Sequence, residues 1–325
     1  MYDEDRFYTP PEANFANCSV LHFEPEAKSR YGVSTALQRL GFGRIHHADS
    51  FPALCEAIMR DRFDLLVGDS GAPKANVTSL VRQVRHANFG SDPFPGIIMI
   101  TASPDRSRVL RAINAGTDHL IRWPFSHEQI SARISAIVDA RKPFVVTFNY
   151  IGPDRRNDPE RPNSAELIQV PNALRAKARK DIKASATPEA IEATVKKINL
   201  HRIRCCYPTI AFSIERLRKG FAAGVGHAGR EAELKLLLAT VEDLEQRIAG
   251  TEYANAARLC QALSVVTRKI GSVGDEVPAA IFELLQRTGM ALHLSFEPPN
   301  NGGVSLDVSA TTDLLSKLVA KPAQR

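Results

Sequence analysis

Between residues 18 and 140 the chain repeats one alternation five times: a short apolar run, then a stretch with apolar residues at helical spacing. The runs are CSVLHF (18–23), GRIHHAD (43–49), FDLLVGD (63–69), GIIMITA (96–102) and HLIRW (119–123). The helical patterns fall at 29–42, 51–62, 77–86, 107–116 and 126–140. The last opens on a capping-box pair, Ser126 and Gln129. Strands that are apolar without alternation need cover on both faces, and strands separated by helices pair in parallel. The expected fold is therefore α/β: a doubly wound five-stranded parallel sheet, followed by a mainly α-helical C-terminal domain. In such sheets sites form at the carboxyl ends of the strands. Asp69, which ends the third run, stands at that edge.

After Arg141 the character changes. Residues 142–172 are rich in proline and turn formers and read as an extended linker. A short basic helix or a disordered tract is expected at 173–184. Thr187-Pro188-Glu189 then looks like a helix start, for a helix running to about residue 200. Further helices are expected at 209–219, 229–249, 252–270 and 277–288, with a short hairpin and a terminal helix in the last stretch. The resulting division is a tail at 1–17, the α/β domain at 18–140, a basic linker at 141–186 and a helical output or interaction domain at 187–325.

Charge is local. The chain carries net +6, and residues 155–219 hold fifteen Lys and Arg against seven Asp and Glu. That segment offers a second reading, a nucleic-acid-binding regulator acting through phosphate contacts. Only Tyr207 and Phe212 supply aromatic rings in it, and no recognition helix stands out. No apolar run is long enough to cross a bilayer, and the opening residues lack the basic start and apolar core of a signal peptide. A cytoplasmic protein without membrane contact is expected. The five cysteines have no zinc spacing and read as reduced, small apolar residues. His46 and His47 are neighbours on a strand, so their rings point opposite ways and form no site. His227 lies in a glycine-rich break and reads as a loop residue.

The α/β domain resembles the receiver domain of bacterial response regulators, which have a flavodoxin-like sheet. The resemblance rests on Asp69 with Pro73 four residues on, Thr101-Ala102, Ala115-Gly116, Trp123-Pro124-Phe125, and Glu24 with Arg30. YIGPDRR (150–156) also resembles a tail found after such domains. The resemblance implies Asp69 as phospho-acceptor, Glu24 and Asp69 as ligands of a weakly held Mg²⁺, and Thr101 as the switch hydroxyl. It also implies a sensor kinase or phosphotransfer protein as partner, contacted through about 107–140, with homodimerisation left open.

The departures are as informative. Where the family has two adjacent acids, this chain has Glu24-Pro25, and proline offers no side-chain oxygen. Glu26 follows the proline and points elsewhere. The family's lysine is Trp123; Arg122 is adjacent but faces the other way. The aromatic switch position is Leu120. Two readings stay open: a receiver used as a docking module with Asp69 unphosphorylated, and a slow phospho-acceptor with a thinned metal site. In the helical half, LCQALSVVTRKIG (259–271) has the spacing of a histidine-phosphotransfer helix, but Gln261 stands where the histidine would be. No constellation there points to an enzyme. The expectation is an atypical two-component response regulator or signalling adaptor, not an enzyme.

Overall fold

The structure is a computed structural model, and it describes residues 13–72, 75–102, 105–156, 166–224, 227–272 and 277–296. The chain divides into two compact units, residues 1–198 and 199–325.

The first unit begins with the expected alternation: β1 (Ser19–Phe23), α1 (Ala27–Arg39), β2 (Arg44–Ala48), α2 (Phe51–Arg60), β3 (Leu65–Asp69), α3 (Val77–Arg85), β4 (Gly96–Thr101), α4 (Arg106–Asn114), β5 (His119–Arg122) and α5 (His127–Ala140). The strands form one sheet in the order β2-β1-β3-β4-β5, every pair parallel. Successive strand residues enter opposite cores. Val20, Leu65, Val67, Ile98 and Ile100 pack with α1 and α5. Leu21, Phe23, Leu66, Ile97 and Met99 pack with α2 and α3. Both faces are covered, which is why the strands carry no polar alternation. The Ser126–Gln129 capping box starts α5 as expected. β2 is an edge strand, and its adjacent histidines part company. His46 meets Phe63 edge-on, while His47 meets the buried His22.

The segment expected as a linker, 141–186, is not an open tether. It carries β6 (Phe144–Val146), β7 (Ile151–Pro153) and β8 (Leu167–Ile168), an antiparallel sheet in the order β7-β6-β8. Then follow α6 (Ala173–Ala178), a 3₁₀ turn at Ile182–Ala184 and α7 (Pro188–Ala222). Phe144, Val146, Ile151 and Ile168 form a core with Phe94, Ile191 and Ile198. α6 places Leu174 and Ala178 in the α1–α5 core, beside Phe15 of the tail. Asn14 N donates to the carbonyl of Ala178, and Lys177 pairs with Asp64 at 2.8 Å.

One buried cluster fastens the small sheet. Asp118, just ahead of β5, sits between two guanidiniums: Arg85 at 2.8 Å and Arg141 at 2.9 Å. All three side chains are buried. Arg85 also donates to the carbonyls of Gly116, Pro93 and Pro95, and Arg141 to those of Phe94, Pro95 and Pro171. Phe144 lies under both, 5.1 and 5.2 Å from their carbon centres. Burial alone would raise the Asp118 carboxyl, but the two cations outweigh it and hold it below its ordinary range. At Gly116 the backbone is left-handed (φ +90°), and a side chain there would collide with the carbonyl of Ile151.

The second unit is helical, as expected. It holds the rest of α7 with α8 (His227–Ile248), α9 (Ala257–Ser272) and α10 (Ala279–Leu294). Tyr207 stacks on His293 at 4.2 Å and Phe221 meets Phe282, so α7 and α10 run antiparallel. α7 is one helix where two were expected at 187–200 and 209–219, with Pro208 inside it. A proline costs one backbone bond, about 3 kcal/mol. The buried stripe of Ile203, Cys206, Ile210, Ile214 and Leu217 continues across it and offsets that loss. His227, expected in a loop, opens α8. Gln261 is exposed and donates to Glu245 at 2.8 Å. The hairpin and terminal helix expected near the C-terminus lie outside the described residues, apart from the end of α10. Among the described residues no helix is long and apolar enough to cross a membrane.

Removing Asp118 leaves two buried cations without a counter-charge. Asp118→Ala is expected to destabilise the first unit by about 3–5 kcal/mol, read as a lower urea midpoint. An unchanged midpoint would mean that the apolar contacts alone hold the small sheet in place.

Candidate functional site

The carboxyl ends of β1, β3 and β4 meet at the middle of the sheet. Phe23 pairs with Gly68 and Asp69 with Ile100, so Glu24, the next residue on its strand, comes level with Asp69. Thr101 ends β4 and is buried. Ser70 ties the loop after β3 to the sheet, its amide and hydroxyl both donating to the carbonyl of Ile100 at 2.8 and 2.9 Å. The loop then turns back, and Gly71 N donates to Asp69 Oδ1 at 2.8 Å. Pro73 lies outside the described residues.

Both carboxyls are burdened by burial. Desolvation pushes Asp69 up, against the Gly71 amide and the charge of Arg108, which pull it down. Desolvation also pushes Glu24 up, against the amide of Glu26 that donates to its Oε1 at 3.0 Å, and the charge on Asp69 pushes it further. The two acids therefore feel each other.

Pro25 is exposed and adds no oxygen. Glu26 turns to Ser29, whose hydroxyl donates to it at 2.7 Å. Among the described residues no three His, Cys, Asp or Glu side chains gather as a metal cage. Two carboxylates still suffice for Mg²⁺, which commonly keeps several waters and takes one or two acids. The donor set of Glu24 and Asp69 fits that ion.

The residues in the departed positions go where their chemistry sends them. Trp123 is half-buried and packs against the α1–α5 core. Its ring lies edge-on to Phe125 at 5.1 Å, and its Cη2 comes within 3.3 Å of where a Cβ on Gly32 would stand. It fills space over α1 and brings no charge. Arg122 is exposed and pairs with Thr101 across the strands. Leu120 lies half-buried against the α2–α3 core. Arg30 donates to the carbonyls of Glu24 and Pro25, holding the loop after β1.

One residue the sequence reading missed is Arg108, in the first turns of α4. The position a Cβ on Gly71 would take is 3.3 Å from Arg108 Nη1 and 3.4 Å from Asp69 Oδ1. Nothing in its spacing announced this. It is one of three arginines on a polar helix, Arg106, Arg108 and Arg111, and such charges usually form a solvated face.

The profile of the response regulator receiver domain matches residues 20–135. A probable chemotaxis protein CheY of Rhizobium etli is 30% identical over 124 residues, covering 38% of this chain and 94% of that protein. The response regulator MprA of Mycobacterium leprae is 34% identical over 124 residues, 38% of this chain and 52% of that protein. The two-component response regulator PhoP of Pseudomonas aeruginosa is 30% identical over 137 residues, 41% of this chain and 57% of that protein. The chain thus spans little more than half the length of these two longer relatives. A receiver domain structure from Bermanella marisrubri aligns over 37% of this chain and 98% of its own, at 16% identity and a TM-score of 0.34.

Ionising either raised acid costs the folded state more than the unfolded chain. The contribution of these two acids to stability is therefore expected to fall as pH rises through the carboxylate range, opposite in sign to that of Asp118. Asp69→Asn removes that cost and is expected to be more stable than the parent at neutral pH, by about 1 kcal/mol, the gap closing at acid pH where both forms are neutral. A less stable Asn variant at neutral pH in thermal melts would mean that Asp69 is held as a favourable ion pair.

Proposed function

This chain belongs to the response regulator receiver family through residues 20–135, and on that premise we propose that it is a two-component signalling adaptor whose receiver accepts a phosphoryl group on Asp69. The observation that carries this is the site itself: a desolvated carboxylate at the end of the central strand, beside a second acid and a buried threonine, under a loop opened by Gly71. An Asp69 oxygen attacks phosphorus as nucleophile. Gly71 N, donating to Oδ1, holds the carboxylate in one orientation. Glu24 and Asp69 would hold a Mg²⁺, which supplies charge screening for the transferring group. Thr101 ends the neighbouring strand, which supports reading it as the hydroxyl that responds. With Leu120 in the aromatic position, that response has no large ring to move.

The partner is a sensor kinase or phosphotransfer protein, meeting the face built by α4, β5 and α5, where Leu110 is 44% exposed. The protein acts in the cytoplasm as a binding switch, with no enzymatic role assigned to the helical unit. The nucleic-acid reading loses ground on one observation. Cations of the basic segment are paired within the fold: Arg175 with Asp181, Lys177 with Asp64, Arg179 with Asp139, Lys197 with Glu166, Arg218 with Glu215. Arg155 is likewise turned inward, onto the Thr117 carbonyl.

Purified protein incubated with acetyl phosphate and Mg²⁺ is expected to gain the mass of one phosphoryl group, and Asp69→Asn to gain none. A folded parent that gains nothing, or an Asn variant that gains as much, would overturn the assignment.

A further inference from the structure

Phosphoryl transfer to a carboxylate brings negative charge onto negative charge, and a site that performs it needs a cation at the transferring group. Trp123 leaves the end of β5 without one, as an apolar ring on the α1–α5 core. Arg30 is turned to backbone carbonyls and Arg122 is exposed across from Thr101. Arg108 is placed differently. Its Nη1 and Asp69 Oδ1 flank the same empty point, 3.3 and 3.4 Å from it, and that point exists because residue 71 has no side chain. The guanidinium makes no ion pair or side-chain hydrogen bond among the described residues, whereas Arg111 of the same helix donates to Ser107. Its charge already pulls against the burial that raises Asp69.

We infer that Arg108 is the catalytic cation of this receiver: it reaches over Gly71 to bind the phosphoryl group on Asp69, and in doing so ties that group to α4. The inference rests on Asp69 being the acceptor. An Asp69 oxygen forms a new bond to phosphorus while the acyl oxygen–phosphorus bond of acetyl phosphate breaks, and acetate leaves with the electron pair. Arg108 takes no part in bond exchange. It neutralises the oxygens of the group in flight and keeps contact with the aspartyl phosphate afterwards. A guanidinium suits this, since its fork of N–H donors matches two phosphoryl oxygens at once. The mounting has a second consequence. Arg108 lies in the turn that Asp105 caps through the amides of Ser107 and Arg108. Its contact with the phosphoryl group therefore fixes the start of α4 directly, without the aromatic that Leu120 replaces.

The test uses the full chain, acetyl phosphate as donor, and intact mass against time. Arg108→Ala is expected to slow phosphorylation of Asp69 by about 10²-fold, with Arg108→Lys recovering part of the rate as a point charge. Gly71→Ala, which puts a methyl group into the gap, is expected to slow it as well. Hydrogen exchange gives an independent readout. On phosphorylation, amides at 106–110 should become protected in the parent, and stay unprotected in phosphorylated Arg108→Ala. Equal or faster phosphorylation of Arg108→Ala, beside a parent that is phosphorylated, overturns the inference and leaves Asp69 as acceptor; faster transfer would make Arg108 a lock on the carboxylate. A parent that takes no phosphoryl group overturns both.

Discussion

Asp118 is the charge on which the arrangement of the first unit depends. It has one carboxylate for two buried guanidiniums and a backbone amide, that of Ile97. Taking such a group out of water costs several kcal/mol, and only close counter-charges and filled lone pairs repay it. Here they come from three separate stretches: α3 brings Arg85, the end of α5 brings Arg141, and the turn before β5 brings Asp118 itself. Phe144, from the segment that follows, closes the cluster against water. The clamp is formed by the five-stranded domain and covered by Phe144 of the small sheet, and the appended segment belongs to the same compact unit.

The opposite edge of the sheet obeys the reverse logic. There the acids have no close ion pair among the described residues, and burial raises both. The clamp lowers the pKa of its acid by surrounding it with donors, whereas the acceptor edge keeps its acids short of them. Acids with burial-raised pKa values in a cleft are the kind of group that functional sites collect. The two edges use the same groups, carboxylate and guanidinium, in close ion pairs at the clamp and without a close pair at Asp69 among the described residues.

What the sequence disclosed follows from how many residues repeat a message. In β3 and β4 every position except Asp69 is buried on one face or the other, so the runs are unbroken and readable. Asp69, Glu24 and Thr101 were legible because strand ends fix their places, and Trp123 because a ring cannot carry a lysine's charge. The strands β6, β7 and β8 have three, three and two residues. Such lengths are too short for a period to show, and their prolines read as linker. What holds them is remote in sequence: Arg85 and Asp118 are 33 residues apart. The two helices expected at 187–200 and 209–219 are one, because the buried stripe of α7 runs on across Pro208 where a local reading sees a gap. Arg108 was hidden because its neighbour in space, Gly71, speaks only through the side chain it lacks.

α4 joins the two edges. Its first turn, capped by Asp105, lies at the acceptor, and its far end passes through Ala115 into Gly116, where the carbonyl of Ile151 presses on the backbone. The carbonyl of Gly116 is in turn bound by Arg85 of the clamp. This helix of nine residues thus spans from the site at Arg108 to the clamp at Gly116. Few buried side chains hold α4 down: only Ala112 is fully covered, and Leu110 is exposed. With so little side-chain burial, α4 belongs to the low-stability end of this unit, where elements that move are usually found. The clamp holds the far end of that helix in place through the Gly116 carbonyl, so the two ends of α4 are held by very different means: buried ion pairs at one, a single side-chain cap at the other.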